Sequence, residues 1–530
     1  MKKFLLLIIV FVFIGTMIVA TACEEKPSEP HVKVVDPIDD NYRVFYEIFV
    51  GSFSDGNGDR VGDLRGIINR MDYLNDGDIT AGNDLGVQGL WLSPIFSSPS
   101  YHKYDCMDYY KIATQFGTEA DLVELLNLCH ERNVKVILDL VINHTSNQHP
   151  WFKAFTEARK NRDYNSEYYD FYTCVTKDTQ VPGRTYAFIS GTQGEYYECN
   201  FDTGMPELNF DNAAVRQAVL DVAKYWLDRG VDGFRFDAVK YVYFGDDPTS
   251  AEFWQWYMDE LRKIKPDIYT VAECWSGDAE TMTYYPAMDC FNFQVAQREG
   301  QIGSAVRTGR VSTFASYIER YLNNISELRE GAMLMPFLSN HDMDRIAGSV
   351  ILSDRSMHMM ANLYILCSGS PFLYYGEEIG MKGYRGAAST DANRRLAMLW
   401  GDDDTVRNPT GSTYSADKQT NGTVASQRAD SNSLFNYYAK LIAFRNSHPM
   451  IARGDYEALP NIGTGFGGFV ITYEGEQWGL IHNVSEEEVQ IDLSKYDVAF
   501  TAVIGYIGQG AARIENGKLI IAPHTSVVLQ

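Results

Sequence analysis

Positive charge is what this chain lacks most: 46 Lys and Arg stand against 70 Asp and Glu, a formal net charge of −24 over 530 residues. A phosphate backbone would meet repulsion rather than counterion release, which excludes nucleic acid as a partner. No Gly-Pro-Ser or Gln-Asn tract dominates, so disordered and fibrous classes are excluded as well. Cysteine is sparse and nowhere shows metal-ligand spacing, which leaves no zinc-type site. Beyond Cys23 there are seven: Cys106, Cys129, Cys174, Cys199, Cys274, Cys290 and Cys367. Seven cannot all pair internally. Cys129, Cys274 and Cys367 sit in apolar runs and read as buried thiols. Cys174 with Cys199 is the candidate disulfide of an exported chain, though two free thiols are favoured. The acidic surplus identifies no ligand by itself, since a solvated acidic surface explains it.

Long hydrophobic runs are also scarce. The outstanding one is Phe4 to Ala20, behind Met1-Lys2-Lys3, and it matches the basic and apolar regions of a secretory leader. Its length approaches the roughly 18 residues of a membrane span. Ala20-Thr21-Ala22-Cys23 resembles the lipobox of bacterial lipoproteins, with Ala20 in place of the commoner Leu, and favours lipidation of Cys23 over plain secretion or a retained helix. Residues 1–22 are thus expected to be a lipoprotein signal peptide. Residues 23–41, polar and carrying Pro27, Pro30 and Pro37, are expected to be a tether. Export to the cell envelope, anchored by lipid alone, follows as an expectation.

Aromatic rings are plentiful, with 34 Tyr, 28 Phe and 8 Trp. Most belong to a core, but such rings also stack on the apolar faces of neutral ligands such as sugars. From Tyr42 onward, β-rich runs alternate with helical patterns such as Glu119 to Arg132 and Ala213 to Arg229, the signature of repeated βα units. Eight strands are predicted: Val44 to Val50, Val87 to Leu92, Val134 to Val141, Val231 to Asp237, Ile268 to Glu273, Met288 to Phe293, Ala332 to Ser339 and Phe372 to Gly376. Several are continuously apolar, as strands buried on both faces should be. The expected fold is α/β, a (β/α)8 TIM barrel spanning 42–144 and 210–449, with chemistry at the carboxyl ends of its strands. A small inserted domain at 145–209, rich in Tyr and Gly, follows the third strand. Short alternating strands with Gly turns predict a C-terminal all-β sandwich at 450–530.

Polar residues gather where the apolar strands end: Asp139 to His144 after the third, Gly233 to Lys240 at the fourth, Ala272 to Trp275 at the fifth and Ser339 to Asp342 at the seventh. Such residues are costly unless they face a mouth or find partners. A barrel brings these ends together, so Asp237, Glu273 and Asp342 converge, with Arg235 able to keep one carboxylate ionised while crowding raises the pKa of another. That division suits glycoside hydrolysis, in which one carboxylate attacks the anomeric carbon and a protonated one serves the leaving oxygen.

Taken in order, these segments resemble the short sequence regions of the α-amylase family, glycoside hydrolase family thirteen, over about Tyr42 to Gln530. Within that family the chain resembles bacterial lipoprotein α-amylases of the type intermediate between α-amylases and oligo-1,6-glucosidases. The resemblance implies Asp237 as nucleophile, Glu273 as general acid/base and Asp342 as the residue that holds sugar hydroxyls before the cleaved bond. It further implies that Arg235 orients Asp237, that His144 and His341 donate to the same sugar, and that Tyr104 stacks on it with His102 as a further contact. Lys240 would reach the acceptor side. Trp275, Trp151 and Tyr172 are weaker candidates for further subsites, with a core role at least as well supported.

Asp55, Asn57, Asp59, Val61 and Asp63 place oxygen donors at alternate positions, with glycines between them, and read as a hard-cation loop. It lacks the position-twelve glutamate of an EF-hand. Family members carry a matching loop, which implies Ca2+ as the cofactor. A second ion at Asn143 is weakened because Asn209 stands where α-amylases carry Asp, and because Tyr241 replaces the His that follows Lys240. The resemblance implies an α-glucan as substrate, acted on by a monomer. Runners-up are neopullulanase or cyclomaltodextrinase, transglycosylase, oligo-α-1,6-glucosidase and, from another class, an inactive surface glucan-binding protein.

Overall fold

The computed structural model describes residues 40–78, 82, 84–349, 354–460, 463–496 and 500–530. The predicted leader, Cys23 and most of the tether lie outside the described residues. No helix among the described residues is long and apolar enough to cross a membrane.

Seven strands form one parallel sheet in the order sixth (Asp289–Cys290), fifth (Tyr269–Ala272), fourth (Gly233–Phe236), third (Lys135–Leu140), second (Gly89–Leu92), first (Phe45–Ile48) and eighth (Phe372–Tyr374). The predicted seventh strand closes the barrel through two single-residue parallel bridges, Phe291 to Met335 on one side and Phe337 to Phe372 on the other. Pro336 lies between the bridging residues, and its missing N–H keeps a longer ladder from forming. All eight predicted strands are therefore in place, each shorter than the sequence suggests.

Alternation along the strands explains both the core and the site. Inward-facing Phe45, Trp91, Ile137, Tyr269, Val271, Phe291, Met335, Phe337 and Phe372 form a closed cluster of their own. Their neighbours Tyr46, Ile48, Leu90, Leu92, Val136, Leu138, Phe234 and Phe236 pack into the main core. The barrel centre is filled with rings, Phe45 stacking on Phe372 at 4.8 Å, so it is a packed core rather than a pore. Two residues further along each strand, the same inward parity carries polar groups: Glu47, Asp139, Arg235 and, past the strand end, Glu273. Asp139 and Arg235 are register partners on adjacent strands.

Helices follow the strands as predicted. Glu119–Glu131 begins with a capping box formed by Thr118 and Asp121, and Ala213–Leu227 is capped by Asn212. These side chains supply acceptors to otherwise unpaired amides of the first turn. After the third strand the chain forms the helix Pro150–Asn161 and a three-stranded antiparallel sheet of Cys174–Thr176, Glu195–Glu198 and Tyr186–Phe188. Cys174 and Cys199 are both free thiols, so the candidate disulfide is not formed. At the C-terminal end, a five-stranded and a three-stranded antiparallel sheet share a core that includes Val470, Ile481 and Val527 from one and Ile491, Leu519 and Ile521 from the other. This is the predicted sandwich.

Candidate active site

Arg235, fully buried, is the hub of the barrel mouth. Its Nη1 donates to Asp139 Oδ1 at 2.8 Å and to Asp237 Oδ1 at 2.6 Å, while Nη2 lies 3.1 Å from Glu273 Oε2. One flat guanidinium thus fixes three carboxyl groups from three adjacent strands. Glu273 also accepts the amide of Ala238 at 2.9 Å. Ala238 has φ 51° and ψ 42°, in the left-handed region, and this turn directs its N–H toward Glu273.

A second ionic group faces the first. Asp342 lies 3.0 Å from His341 Nε2 and accepts from Arg395 Nη2 at 2.6 Å. His341 Nδ1 is held by Glu47 at 2.6 Å, and its Nε2 also lies 2.6 Å from the Tyr104 hydroxyl. Tyr104 donates in turn to Asp139 at 2.8 Å. Five carboxyl groups (Glu47, Asp139, Asp237, Glu273 and Asp342) meet three cationic groups, Arg235, Arg395 and His341. The imbalance appears as protons retained on acids. Burial pushes Glu273 up to about 7 against the pull of Arg235. Burial likewise raises Asp237 to about 6, again opposed by Arg235 and reinforced by Asp139. Burial alone would raise Asp342, but His341 and Arg395 hold it far below the usual carboxylate range. Burial alone would lower His341, but Asp342 and Glu47 lift it to about 10, so it is an imidazolium. Two acids with raised pKa values beside one that stays ionised can perform acid, base and nucleophilic steps near neutrality.

These groups open into a cleft of about 810 Å³ whose lining includes Asp237, Glu273, Asp342, His102, Tyr104, His144 and Lys240. His102 Nδ1 accepts the Tyr104 amide at 3.2 Å, and burial keeps the ring neutral, its pKa lowered to about 4, leaving the hydrogen on Nε2. His144 is also kept neutral by burial, and its Nε2 faces the Tyr104 carbonyl at 3.2 Å. His341 is completely buried behind Tyr104 and Asp342, so its Nε2 orients those two groups while Glu47 holds its Nδ1. Lys240 Nζ donates to Trp275 O at 3.2 Å and Ser276 Oγ at 2.7 Å. Tyr172 is buried, with its hydroxyl against Thr145 Oγ1 at 2.7 Å, and Trp151 packs on His149 and Phe171; neither lines the cleft.

Sequence reasoning missed Glu47 and Arg395, which hold His341 and Asp342, and Tyr101, which accepts from Arg395 Nη1 at 3.0 Å. A lone acid inside the apolar strand Phe45–Ile48 was the available signal for Glu47. Arg395 arrives from a loop after the eighth strand with no periodicity to mark it.

The loop Asp55 to Asp63 folds on its own oxygens. Asp55 Oδ1 accepts the amides of Asn57 at 3.2 Å and Gly58 at 2.7 Å, and Oδ2 accepts Arg60 N at 2.8 Å and Thr405 Oγ1 at 2.7 Å. Asn57 accepts Asp59 N, and Asp59 accepts Val61 N. Asp63 accepts from Gly56 and Gly66, capping the helix Leu64–Asn69. Among the described residues no three acidic, histidine or cysteine side chains form a metal cluster. The donor set is nevertheless all oxygen. Asp63 is raised by burial and by the charges of Asp55 and Asp59, a repulsion that a hard cation would relieve, so the residues fit calcium in kind. Asn143 is buried with its amide against His144 Nδ1, and Asn209 donates to the Asp170 carbonyl, so this pair supplies no carboxylate.

The family model described as the α-amylase catalytic domain matches residues 47–454. The chain belongs to the α-amylase family. It is a glycosidase of glycoside hydrolase family thirteen. The chain is 34% identical over 495 residues to Alpha-amylase 3 of Dictyoglomus thermophilum, covering 92% of this chain and 93% of that one. It is 29% identical over 569 residues to an oligo-1,6-glucosidase of Bacillus cereus, covering 92% and 98%. Among solved structures, Eubacterium rectale Amy13B superimposes with a TM-score of 0.85 at 34% identity, covering 93% of this chain and 96% of that chain. The α-amylase family model thus spans the barrel and the inserted stretch and ends where the C-terminal sheets begin, and the relatives carry more than one activity in their names.

Proposed function

We propose that this protein is a retaining, endo-acting α-1,4-glucan hydrolase, an α-amylase, working on starch, maltodextrin or glycogen. The observation that carries the reading is the Arg235 bridge between Asp237 and Glu273. It keeps one carboxylate ionised for attack while burial leaves the other protonated near neutral pH.

Asp237 attacks the anomeric carbon while Glu273 protonates the leaving oxygen, and Asp342, kept ionised by His341 and Arg395, grips the sugar hydroxyls as the ring flattens. Water, deprotonated by Glu273, then releases the sugar with its configuration retained. Tyr104 offers its ring as a floor for that sugar, and His102 Nε2 a donor. Glu47 and His341 fix the positions of Asp342 and Tyr104. The small Ala238 beside the nucleophile leaves room for a chain continuing through its 4-hydroxyl, the feature favouring α-1,4 over the α-1,6 preference named for the Bacillus relative.

The loop residues Asp55, Asn57, Asp59, the Val61 carbonyl and Asp63 would hold calcium, which would neutralise the loop's charge and stabilise the segment after the first strand. Cys23 would carry the lipid that anchors the exported protein, and metabolic labelling with palmitate, lost in Cys23→Ala, tests it. For the activity, maltoheptaose should be cleaved internally with the α-anomer appearing first by NMR, and Asp237→Asn should abolish cleavage. Initial β-anomer, or faster cleavage of isomaltoheptaose, would overturn the reading. An inactive glucan-binding protein would release no reducing sugar at all.

A further inference from the structure

Lys103 combines two features that an ordinary surface lysine lacks. Its side chain is buried, with the residue 3% exposed, and its backbone is left-handed, with φ 68°. Glycine adopts that conformation freely, whereas a residue with a Cβ does so at a cost. A buried ammonium is also costly unless it finds partners, and burial pulls Lys103 below its ordinary pKa while Asp105 opposes the shift. Its partners are main-chain carbonyls and a ring: Nζ donates to Ser100 O at 2.6 Å, lies 3.5 Å from Ser98 O and sits 5.6 Å from the centre of Phe116. Strain of this kind persists where the surroundings over-determine it, and it gathers at functional sites.

Lys103 stands between two residues of the cleft wall, His102 and Tyr104. The reversal at Lys103 brings the Tyr104 amide back onto His102 Nδ1 at 3.2 Å. Beneath it, Lys103 N donates to Ser100 Oγ at 3.1 Å, Ser100 N donates to Ser98 Oγ at 3.2 Å, and both serine hydroxyls donate to Asp105. The ammonium completes that ring from inside. Tyr104 has anchors outside the loop, since its hydroxyl meets Asp139 and His341. His102 leans on the loop itself, its Nδ1 lying 3.2 Å from both Tyr104 N and Ser100 Oγ.

We propose that Lys103 is a positioning residue for the reaction: its ammonium staples the loop 98–105 from within and thereby fixes where His102 Nε2 meets the sugar. The proposal rests on the reading of His102 as a donor to that sugar. Lys103 itself does not line the cleft, so whatever it does for catalysis passes through its neighbours. Glycine at this position would keep the reversal without strain, yet it would leave the Ser98 and Ser100 carbonyls without their donor and the loop free to open. The effect should fall on turnover rather than on binding. The Tyr104 ring, anchored by Asp139, still receives the sugar, while the donor that tightens on the flattening ring is misplaced.

The test is a double-mutant cycle on maltoheptaose, with melting curves to confirm folding. Lys103→Met keeps the length of the side chain and removes its charge, and Lys103→Gly also relieves the backbone. Each should lower kcat about fivefold with KM within about twofold of the wild type, and His102→Ala should lower kcat about tenfold, the contribution of one neutral hydrogen bond. Lys103→Met combined with His102→Ala should be no slower than His102→Ala alone, because both changes remove the same contact. A generally loosened fold would instead multiply the effects to about fiftyfold and raise KM. That product, or wild-type kcat in either Lys103 variant, overturns the staple and leaves the reading of His102 intact. Wild-type kcat in His102→Ala overturns both.

Discussion

The backbone N–H of Ala238 is bonded to the Glu273 carboxylate at 2.9 Å, which ties the turn after the fourth strand to the acid at the end of the fifth. Ala238 makes this bond from a left-handed conformation. Such a backbone is unfavourable for side chains and most unfavourable for branched ones. Ala238→Val should therefore lower the melting temperature and reduce kcat/KM on maltoheptaose at least tenfold, from about 1 to 2 kcal/mol of strain, while Ala238→Gly keeps the fold's stability. A valine variant as active and as stable as the wild type would show that the turn tolerates branching.

The pH profile should be a narrow bell. Asp237 must be ionised and Glu273 protonated; with values near 6 and 7, the productive pair is lost below about 6 as Asp237 gains a proton and above about 7 as Glu273 loses one. The two acids share Arg235, so the limbs report the pair rather than either residue. Initial rates of kcat/KM between pH 4 and 9 check this. In Glu273→Gln, with an activated donor that needs no acid, the alkaline limb of intermediate formation should vanish while the acid limb stays.

Arg395→Ala should reduce kcat/KM by about two orders of magnitude, because Asp342 loses one of its two cationic partners in a largely buried site, a loss of about 3 kcal/mol. Arg395→Lys should recover part of this, as it restores charge without the fork that also reaches His341 O and Tyr101. Steady-state kinetics on maltoheptaose measure both.

Chelation should lower the melting temperature if the Asp55 to Asp63 loop holds calcium by mass action. Asp59→Ala should then melt early with or without chelator. Identical melting of variant and wild type under both conditions reduces the loop to a self-bonded turn.

The barrel was legible in the sequence because its strands are apolar on both faces and end abruptly in charge; Asp237, Glu273 and Asp342 stood out for that reason. Glu47 was not legible, since from sequence alone nothing says which parity of Phe45–Ile48 faces the axis. His341 was read as touching the sugar, whereas in the structure it stands behind Tyr104 and Asp342, bound at Nδ1 by Glu47. Arg395 comes from an irregular segment far along the chain from the strand end it joins, where neither period nor spacing guides inference.

The seam of the barrel has a kinetic consequence. Around the bridges at Met335 and Phe337 the segment is held by packing of the Phe337 ring on Phe291 and Phe293, at 5.4 and 5.1 Å, and by scattered backbone bonds on both edges, from Asn292 N to Met335 O, Gln297 N to Leu338 O, Ser370 N to Leu334 O and Phe372 N to Pro336 O, rather than by a continuous ladder. A wall fastened by rings and scattered backbone bonds lacks the cooperativity of a continuous ladder, so its amides should be among the earliest of the strand amides to exchange with deuterium. His341 and Asp342 continue directly from that wall. Breathing of the cylinder and transient loss of the group that grips the sugar are then one event, and heat inactivation should precede global unfolding by the lifetime of that opening.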